Sequence, residues 1–147
     1  FTIKEENIPI FRDILIKNFE KVYANSTSNL NLYFDSIIAP SALNEEFFEQ
    51  VNYLAPFGSG NSEPKFVIEN IKVLSSNPVG DKHITTVLSG KDGTTFKGFA
   101  PNAKNPPLEP LLNKENKKRI NVGGKMRLNV WQGKRKIEFM IEDISLN

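Results

Sequence analysis

At residues 54–66 the hydrophobic period of this chain changes, and no single class of secondary structure satisfies both sides. Before Leu54 apolar residues recur mostly three and four apart; after Phe66 they mostly alternate. Helices repeat every 3.6 residues and strands every two, so the pattern predicts a largely helical first part and a β second part. The stretch between them, Leu54-Ala-Pro-Phe-Gly-Ser-Gly-Asn-Ser-Glu-Pro-Lys-Phe66, crowds Pro56, Gly58, Gly60, Asn61 and Pro64 together and reads as a rigid corner. Gly58 and Gly60 permit positive φ or a close backbone approach. They form neither a dinucleotide fingerprint, since position 63 is Glu and no strand precedes them, nor a Walker loop, since no Gly-Lys-Ser/Thr follows.

Charge divides at the same place. Residues 1–56 carry 4 basic and 8 acidic side chains, whereas residues 57–147 carry 15 and 9. A basic second part points to a polyanionic partner. The chain has no Cys, which excludes disulfides and thiolate metal sites and is compatible with a reducing compartment. No apolar run approaches the roughly 18 residues of a membrane span, and no signal peptide is expected. The chain opens on Phe1 without an initiator Met, which predicts a piece of something longer.

In chain order, Ile8, Phe11, Leu15, Phe19 and Val22 predict an amphipathic helix over 5–24, with Pro9 in its first turn. Residues 25–29 read as a polar loop. Leu30, Leu32 and Phe34 predict a strand, and Asn44 is the expected N-cap of a second helix carrying Phe47, Phe48, Val51 and Leu54. After the corner, residues 66–74 predict a first strand with a bulge near Glu69-Asn70, where Ile68 and Ile71 fall out of step. A turn at 77–80, a strand over 82–89, a tight turn at Gly90-Lys-Asp-Gly93 and a third strand over 94–100 follow. Residues 101–121 are polar, carry four prolines and hold at most a helical turn near Leu108–Leu112, limited by Pro110. Met126, Leu128 and Val130 mark a fourth strand, Gln132-Gly133 a turn, and Ile137, Phe139 and Ile141 a fifth. Five strands, the first bent, with an insertion between the third and fourth, predict an α+β, mainly β chain built on a five-stranded OB-fold barrel. An SH3-like barrel is the nearest competitor by pattern alone.

Alternation then assigns faces. With Ile84, Thr86, Leu88, Phe96, Gly98, Ala100, Met126, Leu128 and Val130 inward, the outward set is His83, Thr85, Val87, Thr95, Lys97, Phe99, Lys125, Arg127, Asn129 and Trp131. Cations track the phosphates of a single strand while aromatic rings stack on its bases. Lys134-Arg-Lys136 adds charge at the last turn. Packing on the helices is the structural alternative for Phe99 and Trp131, and a solvated rim for the cations. Catalysis has little support: the chain has one His, Glu142 and Asp143 face opposite sides of a strand, and no Ser sits in a nucleophile elbow.

Several motifs together resemble the RecJ family of bacterial exonucleases specific for single-stranded DNA. Phe1-Thr-Ile-Lys-Glu-Glu-Asn-Ile8 with Phe11-Arg12 is similar to the end of that family's DHHA1 domain. Asp35 and the Leu54-to-Phe66 corner, with its Pro-Phe-Gly-x-Gly-Asn-x-Glu-Pro core, resemble the connection into its OB domain. Gly80-Asp-Lys-His83, Trp131-x-Gly133 and Ile141-Glu-Asp-Ile144 resemble the OB domain itself. Thr85 departs from a common basic residue and Glu138 from a common Gln, both making the surface less cationic. The proline-rich 101–119 loop departs from the family's short helix.

The resemblance implies residues 1–56 as the end of a DHHA1-like domain with its connecting helix, and 57–147 as an OB-fold nucleic-acid-binding domain. It implies the single-stranded-DNA grip of a 5′-to-3′ exonuclease of DNA repair and recombination, a cytoplasmic bacterial hydrolase. Mn²⁺ or Mg²⁺ would be held by aspartates and histidines of an N-terminal DHH domain, whose motifs are absent here, so no cofactor, metal ligand or catalytic residue is expected in this segment. The implied partners are single-stranded DNA, the DHH and DHHA1 domains, and a single-strand-binding protein or helicase; no membrane is implied. Matching the motifs gives Lys82 and His83 as contacts, and facing adds Lys97, Phe99, Lys125, Arg127, Trp131, Lys134, Arg135 and Lys136. Pro56, Phe57, Gly58, Gly60, Asn61 and Pro64 form the structural corner. A protein-docking face and an RNA-binding OB domain are the alternatives.

Overall fold

The computed structural model describes residues 2–25, 31–103 and 108–146. These fall into two compact units, divided between Leu32 and Tyr33. In the first, a single 3-10 turn over Glu5–Asn7 leads into helix α1, Ile8–Asn25, with Pro9 in its first turn, where its missing N–H is not needed. The loop expected over 25–29 and the residue Leu30 lie, apart from Asn25, outside the described residues.

The second unit is a closed barrel. Its strands are β2 (Phe66–Val79), β3 (His83–Ser89), β4 (Thr95–Ala100), β5 (Ile120–Trp131) and β6 (Lys134–Leu146). β2, β3 and β4 form an antiparallel meander, β4 pairs in parallel with β6, β6 pairs antiparallel with β5, and β5 returns to β2 to close the ring. This is the expected five-stranded α+β OB-fold. Long β2 serves two neighbours in succession, β5 over its first half and β3 over its second, and the bend between them lies at the expected bulge. There the register slips between Ile68 and Ile71, and Asn70 takes φ 60°. Asn121 Oδ1 accepts from the Asn70 N–H at 3.0 Å, and Arg119 donates to the Asn70 carbonyl, so the extra residue keeps its hydrogen bonds.

The core is the inward period-two set. Ile68, Ile71, Leu88, Leu112, Ile120, Val122, Phe139 and Ile141 are fully buried, each worth about 1.5–3 kcal/mol of apolar transfer. Phe96 meets Phe139 edge to face at 6.3 Å. Thr86, also buried, donates its hydroxyl to the Ser75 carbonyl at 2.6 Å. Helix α3, Glu109–Leu112, caps the core through Leu108 and Leu112. Pro110 is tolerated because it stands in the first turn.

Four expectations are corrected. The strand predicted through Leu30, Leu32 and Phe34 is instead a two-residue strand β1, Ser36–Ile37, parallel to the start of β2. Phe34 is anchored over Gly123 rather than in a ladder, and Leu32 and Tyr33 are exposed. The turn predicted at 77–80 falls at Gly80–Lys82, because the far half of β2 has β3 as its one ladder neighbour and Pro78 needs no second partner. β5 begins at Ile120, six residues before Met126. Val130, expected inward, is 58% exposed, since the ends of β5 and β6 project beyond the barrel as a hairpin.

The corner joins a helix to β2. Helix α2, Glu45–Asn52, is capped by Asn44, whose side chain accepts from the Phe47 N–H at 2.9 Å. Gly58 and Asn61 exchange backbone hydrogen bonds, and the Asn61 amide donates to the carbonyls of Leu54 and Pro56 at 2.9 and 3.0 Å. Gly60 has φ +84°, which explains that glycine; Gly58 has neither positive φ nor a crowded Cβ position.

Candidate nucleic-acid interface

Pairing across the sheet fixes which outward side chains share a row. Val87, Lys97, Glu138 and Arg127 form one row across β3, β4, β6 and β5; Thr85, Phe99, Met140 and Lys125 form the next. Diagonal neighbours across a ladder are within reach of rings and long side chains, and here they meet around Phe99. The His83 ring stacks on Phe99 at 5.7 Å with 30° between planes, and the Arg127 guanidinium lies 6.0 Å from the Phe99 centroid. His83 Nδ1 accepts from the Asn102 backbone N–H at 3.1 Å, which fixes the orientation of the ring.

Beside this stack a cleft of about 480 Å³ opens between β4 and the projecting hairpin, lined by Lys97, Asn129, Trp131, Lys134, Lys136 and Glu138. Trp131 is 72% exposed. It takes this place because Gln132 and Gly133, both at positive φ, close a two-residue turn that pairs Trp131 with Lys134 at the hairpin tip. Lys82, Lys134 and Lys136 have no acidic partner among the described residues.

Not every expected cation keeps to this surface. Lys125 Nζ lies 2.9 Å from Glu63 and 3.9 Å from Glu142, and Lys65 closes the cluster at 2.6 Å from Glu142. Arg135 faces the other side of the hairpin, as alternation demands, and its guanidinium reaches Glu45 at 3.1 Å and Glu49 at 2.7 Å on α2. Both cations brace the barrel. Lys97 stays on the face but is paired: Glu138 Oε1 accepts from Lys97 Nζ at 2.7 Å and from the Asn129 amide at 2.8 Å.

Glu138, read from the sequence only as a departure that makes the surface less cationic and left out of the contact set, stands at the centre of the site. Burial on its own raises its carboxyl, but the hydrogen bonds from Lys97 and Asn129, with the charges of Lys97 and Arg127, outweigh burial and hold it below the ordinary carboxylate range. It is ionised at neutral pH. The signal that could have found it is its position opposite both Lys97 and Arg127 once the strand order is known.

Among the described residues no group of three or more His, Cys, Asp or Glu comes together to hold a metal ion. The side chains here do not fit a Mn²⁺ or Mg²⁺ centre. No helix among them is long and apolar enough to cross a membrane.

A family model described as RecJ OB domain matches residues 34–143. The single-stranded-DNA-specific exonuclease RecJ of Bacillus subtilis (strain 168) is 22% identical over 149 aligned positions, covering 99% of this chain and 18% of its own length. Two crystal structures of Thermus thermophilus RecJ, with Mn²⁺ and with Mg²⁺, align over the whole chain with TM-scores of 0.66 and 0.63 at 21% and 18% identity. They share the fold, and the chain spans about a fifth of the length of these relatives.

Proposed function

The chain belongs to the RecJ OB domain family, and on that premise we propose that its barrel grips single-stranded DNA for a longer 5′-to-3′ exonuclease. The observation that carries this reading is the conjunction at the cleft. An exposed indole, Trp131, stands beside Lys134 and Lys136, next to the His83–Phe99–Arg127 stack. Rings that stack on bases and cations that follow the backbone are the two elements of sequence-tolerant single-strand binding. Both loops flanking the β3–β4 face contribute, Lys82 from one and Lys134 from the other, as OB-fold recognition requires. Lys97 and Arg127 complete the contact set, while Lys125 and Arg135 hold the scaffold.

Residues 1–56 are, in this reading, the end of a DHHA1-like domain and its connection. A DHH domain outside the chain holds the Mn²⁺ or Mg²⁺ and cuts, in the bacterial cytoplasm. Docking of a helicase or single-strand-binding protein would use the same exposed Trp131. The two uses differ in salt dependence, because phosphate contacts release counterions and apolar anchors do not.

The test is fluorescence anisotropy of a labelled strand of about 15 nucleotides at roughly 50 and 200 mM salt, with matched duplex and RNA strands as controls. Binding that prefers the single DNA strand and weakens with salt is the expected result. Absence of binding at low salt, or equal affinity for duplex, contradicts the proposal.

A further inference from the structure

Resting on the single-strand reading, we propose that the cleft reads one base, with Glu138 as a specificity-determining acceptor that favours cytosine over thymine. A carboxylate more than nine-tenths buried, at the centre of a surface that receives phosphates, opposes backbone binding by its charge. Its geometry supplies a different use. Oε1 is occupied by Lys97 and Asn129. Oε2 has no hydrogen-bond partner among the described residues, and no buried side-chain oxygen among them is left unsatisfied, so Oε2 is reached by solvent, and Glu138 lines the cleft.

The polar pattern offered to a base follows from these bonds. An ionised carboxylate only accepts. One N–H of the Asn129 amide is given to Glu138, and Asn129 Oδ1 is a second acceptor nearby. Cytosine presents a donating N4 amino group where thymine presents the O4 acceptor, and Glu accepting from cytosine N4 is an established pairing. Thymine O4 in the same place would face the Glu138 carboxylate with no proton between the two oxygens. Trp131 stacks on either ring, because stacking is indifferent to base identity. Comparing the two pyrimidines therefore isolates the amino-for-carbonyl exchange at nearly constant size.

The experiment uses this chain and labelled oligo-dC and oligo-dT of about 12 nucleotides, read by anisotropy at neutral pH. We expect oligo-dC to bind about fivefold more tightly or better. Glu138→Gln keeps an oxygen for Lys97 and turns an amide N–H towards the cleft, so it abolishes or reverses the preference. Trp131→Ala weakens both strands alike and leaves their ratio unchanged. Equal or tighter binding of oligo-dT by the unaltered chain overturns the proposal, as does a ratio that Glu138→Gln leaves in place. Should neither strand bind the unaltered chain, the single-strand reading itself fails, and the base-reading proposal with it. The unaltered chain decides the matter even if the glutamine variant does not fold.

Discussion

Glu138 Oε1 accepts a hydrogen bond from Lys97 Nζ at 2.7 Å across the parallel pairing of β4 and β6, in the middle of the barrel's outer face. The two side chains are unequally covered, the lysine half exposed and the carboxylate 8% exposed. Removing the cation therefore costs more than a surface pair would. Lys97→Met leaves the carboxylate with the Asn129 amide and should destabilise the barrel by about 1–2 kcal/mol, less than a fully enclosed pair because solvent reaches the lysine. Pairing Lys97→Met with Glu138→Gln should recover part of that loss, the signature of coupled neighbours. Urea unfolding of the two single variants and the double variant measures it.

The same carboxylate sets a pH dependence. Its folded pKa lies below its unfolded value, which is about 4.3 for a free glutamate. A group depressed in this way contributes stability in full above the unfolded value, and the contribution is lost as pH falls through the folded one. Asp92, which accepts from the Thr94 hydroxyl at 2.7 Å and its N–H at 3.0 Å, is lowered by those bonds and acts with the same sign. Thermal melts should show the midpoint of the unaltered chain dropping below about pH 4.5, with a shallower drop for Glu138→Gln.

Gly124 marks the tightest backbone approach in the barrel. A Cβ there would collide with the Met140 carbonyl across the β5–β6 bulge. Gly124→Ala should cost about 3 kcal/mol, at the upper end of overpacking. Gly58→Ala, with open space around it and an ordinary φ, should stay within about 0.5 kcal/mol. Denaturation midpoints of the two variants check both values.

Three consecutive basic residues in the hairpin have two different jobs. Lys134 and Lys136 face the cleft, while Arg135 is held by Glu45 and Glu49 of α2. Lys134→Ala with Lys136→Ala should weaken single-strand binding and flatten the dependence of log affinity on log salt by about 1.4, near 0.7 for each phosphate no longer neutralised. Arg135→Ala should leave that slope unchanged and instead lower stability by about 0.5–1 kcal/mol. Salt titrations of the variants separate the two roles.

That division shows what the sequence could and could not disclose. Period-two alternation placed Ile84, Thr86, Leu88, Phe96 and Phe139 inside the barrel, because one buried face leaves a local mark on each strand. It failed at Val130, where the strand outruns the barrel and alternation continues without a core to face. It also missed the start of β5. Gly123 and Gly124 carry no side chain to show a period, yet they are buried because Phe34 and the Met140 backbone fill the space beside them. The outward face was legible as a list of residue types. The ion pairs were not, since Lys97 meets Glu138 and Arg135 meets Glu49 across 41 and 86 residues of sequence, and only the tertiary fold brings them together.

Trp131 is the single tryptophan of the chain, so its fluorescence reports from the cleft without a label. The most direct test of the central claim is to titrate the chain with an unlabelled single strand of about 15 nucleotides at roughly 50 and 200 mM salt. A strand seated in the cleft gives saturable quenching as bases stack on the indole, weaker affinity at the higher salt, and little response to duplex. Emission that single strands leave unchanged while anisotropy shows them bound would place the DNA elsewhere on the molecule and contradict the assigned face.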